Sequence, residues 1–197
     1  MTLKKWIITP KGQLTLIMVA LLLLASIGSQ DISGMVIGIT AVSTAVATDI
    51  VLCLIENRKR IFPDGAIITG LIIALVLSTA TSGLIVAATA IMAILSKHLF
   101  VFKKKPIFNP AAFGLLLSIL LFQTGQSWWG AFGDSPVWMI LFLLVGGYPI
   151  VNKVNKFPQV FAFLATTFVL LVFMGQFNMT IATDAFRPPF INATLFF

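Results

Sequence analysis

In GITAVSTAVATDIVLCLIEN (38–57), the carboxylate of Asp49 stands inside a long apolar run. It lies about six residues from the end of that run, hence about 9 Å deep if the run is helical. An ionisable group at that depth is costly, and it faces either a partner inside the protein or a path for ions. Both readings stand on the sequence. Thr40, Thr44 and Thr48 recur at four-residue spacing and share a helix face, an arrangement suited to gluing helices together. Asp49 and Glu56, two turns apart, also share a face.

Two further stretches place polar residues where short helices begin. IFPDGAIITG (61–70) opens an apolar run with Pro63, Asp64 and Gly65, and carries Thr69 one turn on. Asn109-Pro110 offers an N-cap residue followed by proline at the first helical position. The runs that follow, 66–79 and 110–122, are about 20 Å long as helices against a bilayer core of about 30 Å. A short helix that starts below the membrane surface points the positive end of its dipole into the protein, as transporter half-helices do toward anionic groups. The alternative is a pair of tilted helices in a thinned bilayer. Asp49, Asp64, Thr69 and Asn109 are the candidate ion-path residues. Trp128 and Trp129, in SWWGAF (127–132), read as an interfacial belt or as a stacking platform for a cofactor ring. Lys97 and His98 adjoin a basic loop and read as solvated or headgroup contacts. With one cysteine, Cys53, and one histidine, the chain has no internal disulfide or cysteine-held cluster and too few soft ligands for a haem pair or a zinc site, so no metal is expected.

The elements that must position these residues follow from composition. Of 197 residues, 59% are hydrophobic and 10% charged, with a mean hydropathy of +1.06. A soluble domain has roughly 25% charged residues, so this is an all-α integral membrane protein. Apolar runs at 14–29, 35–55, 66–79, 84–96, 110–122, 137–151 and 159–175, with another starting near 190, give about seven or eight transmembrane helices, two of them short. ASIGSQ (25–30) resembles a small-residue cleavage site, but the repeated runs after it favour a retained first helix. The final ATLFF has no polar flank, which suggests a fragment or an unfinished last helix. With the N-terminus in the cytoplasm and one crossing per run, every basic residue except Arg187 falls inside, as the positive-inside rule requires. That pattern makes a multi-pass protein of the inner membrane and argues against a nucleic-acid partner.

KKPIFNPAAF (104–113) and RPPFINATLF (187–196) align at proline, asparagine and the final phenylalanine while entering from opposite sides, as an inverted repeat would. IFPDGAIITGLIIAL (61–75), KKKPIFNPAAFGLLLS (103–118) and LLVGGYPIVNKVNKFPQVFAFLAT (143–166) resemble the family containing the NqrB subunit of sodium-pumping NADH:quinone oxidoreductases and the RnfD subunit of Rnf electron-transport complexes. The resemblance implies part of an inverted-repeat fold similar to urea transporters, with the first repeat over 1–126 and the start of the second over 127–197. It also implies a membrane subunit of a flavin-linked electron-transfer complex that moves sodium ions or protons, working with other subunits; whether two copies pair as a homodimer is left open by the sequence. A cofactor-free small-solute permease and a membrane anchor for a redox partner are the alternatives on the same fold. Family members carry FMN on the threonine of a serine-glycine-alanine-threonine motif in an outer loop. The corresponding loop here, QTGQSWWGAFGDSP (123–136), lacks it, as does NMTIATDAF (178–186). Any FMN or riboflavin is therefore expected to be noncovalent, with Trp128 and Trp129 the candidates to stack on it.

Overall fold

The computed structural model describes residues 6–29, 32–58, 62–103, 105–127 and 138–175. Each of the seven apolar runs is a helix: α1 Pro10–Ser29, α2 Ser33–Ile55, α3 Asp64–Val76, α4 Gly83–Leu99, α5 Pro110–Phe122, α6 Trp138–Val154 and α7 Phe157–Gly175. α1 and α2 are long and apolar enough to cross a membrane, whereas α3, α4 and α5 are shorter apolar helices. The chain divides into two compact units, Met1–Gly130 and Ala131–Phe197. The first holds α1 to α5 and every site residue discussed below. In the second, Asn155, with φ 50°, turns the chain out of α6, and Tyr148 meets Phe157 at 5.8 Å across that turn.

Small residues rather than threonines bring the helices of the first unit together. α2 buries Gly34, Gly38, Ala41, Ala45, Asp49 and Cys53, a stripe at three- and four-residue spacing. Thr40 and Thr48 are only half-buried, and their hydroxyls donate to the carbonyls of Val36 and Thr44 on their own helix, both at 2.8 Å. The expected threonine glue is thus replaced by close backbone approach, the usual device where lipid provides no hydrophobic drive between helices. A Cβ on Gly70 of α3 would lie 2.7 Å from the Cα of Val42, and one on Gly114 of α5 would lie 2.7 Å from the Ala93 Cβ on α4. α2 therefore packs tightly on α3, and α4 on α5. The core they enclose includes Ile73, Leu75, Val86 and Ile94, all fully buried.

Both short helices are present, at 13 residues each. α3 runs over 64–76 rather than 66–79, because its continuation is drawn into tertiary pairing. Leu77 is extended (φ −69°, ψ 143°) and forms an antiparallel bridge with Gln126. Ser78 N–H donates to the Gly125 carbonyl, and Ser127 N–H donates to that of Val76, both at 3.1 Å. Buried non-helical backbone needs such partners, since it is cut off from water. Among the described residues, one hairpin lies outside the all-helical expectation. Between α4 and α5, β1 (Val101–Phe102) and β2 (Lys105–Pro106) pair antiparallel, with Lys103 at φ 47° in the turn. Phe100 and Phe108 from this hairpin pack on Phe113 of α5, at 5.5 and 5.6 Å.

Candidate functional site

Asp49 is 4% exposed, and its charge is met by the last turn of α4. Lys97 Nζ donates to Asp49 Oδ1 at 2.7 Å, and His98 Nε2 lies 2.9 Å from the same oxygen. The other imidazole nitrogen, Nδ1, lies 2.8 Å from Glu56 Oε1, and the His98 side chain is only 2% exposed. Both ring nitrogens therefore face carboxylate oxygens, those of Asp49 and Glu56. This corrects the reading of Lys97 and His98 as solvated or headgroup contacts. Both side chains turn back toward α2, because a carboxylate buried alone would be far costlier than the order imposed on two side chains.

Around this centre the cluster is continuous. Arg58 Nε donates to Glu56 Oε2. Burial alone would push the Glu56 carboxyl up, but the His98 hydrogen bond and charge, with Arg58 beside it, hold it below its ordinary range. Cys53, one turn from Asp49, is a buried thiol whose sulfur, together with a carboxylate oxygen of Asp49 and a ring nitrogen of His98, forms a group with all ligand atoms within 4.8 Å of one another. A cleft of about 480 Å³ lined by Arg58, Lys97, Val101 and Pro106 opens at the same end.

The other expected residues occupy different places. Asp64 opens α3: its Oδ1 accepts from Gly65 N–H at 2.7 Å, and its Oδ2 pairs with Lys11 Nζ at 3.0 Å. It adjoins the cluster, since a Cβ on Gly65 would sit 3.5 Å from Lys97 Nζ. Thr69 is buried, and its hydroxyl donates to the Gly65 carbonyl at 2.9 Å. Asn109 is the N-cap of α5, accepting from Ala111 N–H at 3.0 Å, and is exposed. The first turns of both short helices are part-buried, with Ala66 of α3 and Ala111 of α5 at most 1% exposed. The C-terminal end of α3 is the more deeply buried one, with Leu75, Val76 and Leu77 all at most 1% exposed. The first-turn carboxylate and Lys11 already satisfy the start of α3, so the end without such groups is the one shielded by the bridge. Trp128 and Trp129, and the echo at 187–196, lie outside the described residues.

A second polar patch, to which the sequence analysis assigned no role, surrounds that bridge. Ser118, fully buried, shares a hydrogen bond with Thr124 at 2.9 Å, and Gln126 Nε2 donates to the Leu115 carbonyl at 3.4 Å. The cue available was QTGQS (123–127), four polar residues in five directly after a short apolar run. α3 joins the two patches. Its first turn lies beside Lys97 and its last residue is bonded to Ser127, about 20 Å away along the helix.

A family model described as the NQR2, RnfD, RnfE family matches residues 9–136, the span that holds both patches. The chain belongs to that family. Its members are membrane-embedded subunits of multi-subunit electron-transport complexes. Of the three stretches that carried the resemblance, 61–75 and 103–118 fall inside the match and 143–166 beyond it. Comparison with curated proteins and with solved structures returned no significant match.

Proposed function

We propose that the chain is the membrane subunit of a flavin-linked electron-transfer complex coupled to movement of sodium ions or protons, similar to the RnfD subunit of Rnf complexes. Family membership supports the redox partners, which supply the electron donors and acceptors. The observation that carries the coupling is the burial of Asp49 between α2 and α4 with two mobile-proton or cationic partners, Lys97 and His98, on one oxygen. A carboxylate so placed exchanges one cation for another without ever being left bare. The path runs from this cluster along α3, past Asp64 and Thr69, to the polar patch at the Leu77–Gln126 bridge. Asn109 contributes by fixing the start of α5.

In this reading the fold is one inverted repeat and part of a second, similar to urea transporters, with the N-terminus and the charged cluster on the cytoplasmic side of the inner membrane. FMN or riboflavin, if carried by this chain, is held noncovalently, with Trp128 and Trp129 as its stacking partners. The test uses the assembled complex in sealed vesicles. Asp49→Asn is expected to abolish cation movement driven by electron transfer while the subunit still inserts and assembles. Cation movement at the full rate in that variant would overturn the proposal.

A further inference from the structure

We infer that Asp49, Cys53 and His98 form a binding site for a soft divalent metal ion of the zinc type, in competition with the Lys97 ammonium. Binding itself does not rest on the coupling reading above.

Counting cysteine and histidine alone leaves too few ligands for such a site, but the fold adds a carboxylate. Asp49 and Cys53 are one turn apart on α2, and His98 comes from the last turn of α4. Their donor atoms all lie within 4.8 Å of one another. Ligands held tetrahedrally at 2.0–2.3 Å from zinc are about 3.3–3.8 Å apart, so rotation of the side chains is enough to close the set. Carboxylate, thiolate and imidazole are all zinc ligands, and three protein donors leave a fourth position for water.

The geometry of His98 supports this assignment independently. A metal-binding imidazole donates its other N–H to a carboxylate, which fixes the tautomer and aims the free nitrogen at the ion. Glu56 Oε1 stands in that place, 2.8 Å from Nδ1. Nε2 then faces Asp49 Oδ1 at 2.9 Å, and a metal ion placed between them would be held by both atoms. Lys97, 2.7 Å from the same oxygen, neutralises Asp49 in its absence. The lysine side chain retains 23% exposure and lines the adjacent cleft, so its flexible stem has room to withdraw.

Binding is balanced by proton release. The ion displaces the proton from Cys53 Sγ and any proton on His98 Nε2, and these pass to solvent, while Asp49 enters as carboxylate. The bound ion ties α2 to α4 at their charged end.

The experiment is a titration of the purified, detergent-solubilised full chain with cobalt(II), followed by zinc displacement. Wild-type protein is expected to bind one equivalent, with the near-ultraviolet absorption of a cobalt–thiolate bond, and zinc should abolish that absorption. Cys53→Ser removes the band. Glu56→Gln weakens binding about tenfold to 100-fold. Lys97→Met tightens it, a gain that loss of folding cannot mimic. No thiolate band in the wild type, a band that persists in Cys53→Ser, or weaker binding in Lys97→Met would each overturn the site.

Discussion

At the residue scale, the decisive arrangement is one carboxylate oxygen of α2 met by two groups from the last turn of α4. Asp49→Asn leaves Lys97 and His98 without their acceptor charge. Its cost is expected below the roughly 3–5 kcal/mol of a fully buried pair, because Lys97 keeps partial contact with water. Adding Lys97→Met to Asp49→Asn should recover part of the lost melting temperature in detergent. A double variant no more stable than the single one would show that the pair is not what Lys97 contributes. Glu56 adds a pH dependence of known sign. Its carboxyl is depressed below the ordinary 4.5, so the stability it contributes is fully present above that value and is lost as pH falls through the lower, folded-state value. The difference in melting temperature between wild type and Glu56→Gln should therefore hold from neutral pH to about 4.5 and then shrink as the solution is acidified further.

At the element scale, what is local was legible and what is tertiary was not. Pro63-Asp64-Gly65 and Asn109-Pro110 announce helix starts because capping needs only the next few residues, and both starts are where the sequence puts them. The end of α3 has no such local signal. Leu77 leaves the helix to pair with Gln126, a partner the chain supplies only after two more helices. Lys97 and His98 were equally opaque, since a basic loop next door makes any cation look solvated. The threonine stripe misled for a simpler reason: hydroxyls can bond within their own helix, while the adjacent glycine and alanine positions carry the contact. Two substitutions test these assignments. Asn109→Ala removes the cap of α5 and should cost about 1 kcal/mol in a thermal or denaturant melt. Gly70→Leu forces a side chain against the backbone of α2 and should cost about 1–3 kcal/mol or more, whereas Gly83→Ala, where a Cβ meets nothing within 4 Å, should be tolerated.

At the scale of the whole molecule, composition and charge pattern gave the membrane class, and seven apolar runs gave seven helices. Pairing between runs was beyond their reach, since periodicity says which face is apolar but not which neighbour covers it. The proposed flavin belongs to this scale too. If this chain carries it, purified protein should show flavin absorption that passes into the supernatant on acid precipitation. Pigment retained in the pellet would place a covalent attachment on this chain, and a colourless protein would shift weight to a permease or to a scaffold for flavins on partner subunits.

The Leu77–Gln126 bridge carries a consequence for biogenesis. Helices enter the membrane in the order they are synthesised, and α3 arrives before the segment that completes its far end. Until residues 125–127 emerge, the Ser78 N–H and Val76 carbonyl have no partner from the finished fold. The nascent chain must shelter them in the insertion machinery or in water. The first short helix is therefore a late-setting part of an early-made segment, and a chain truncated after α4 would hold α3 loosely however well its start is capped.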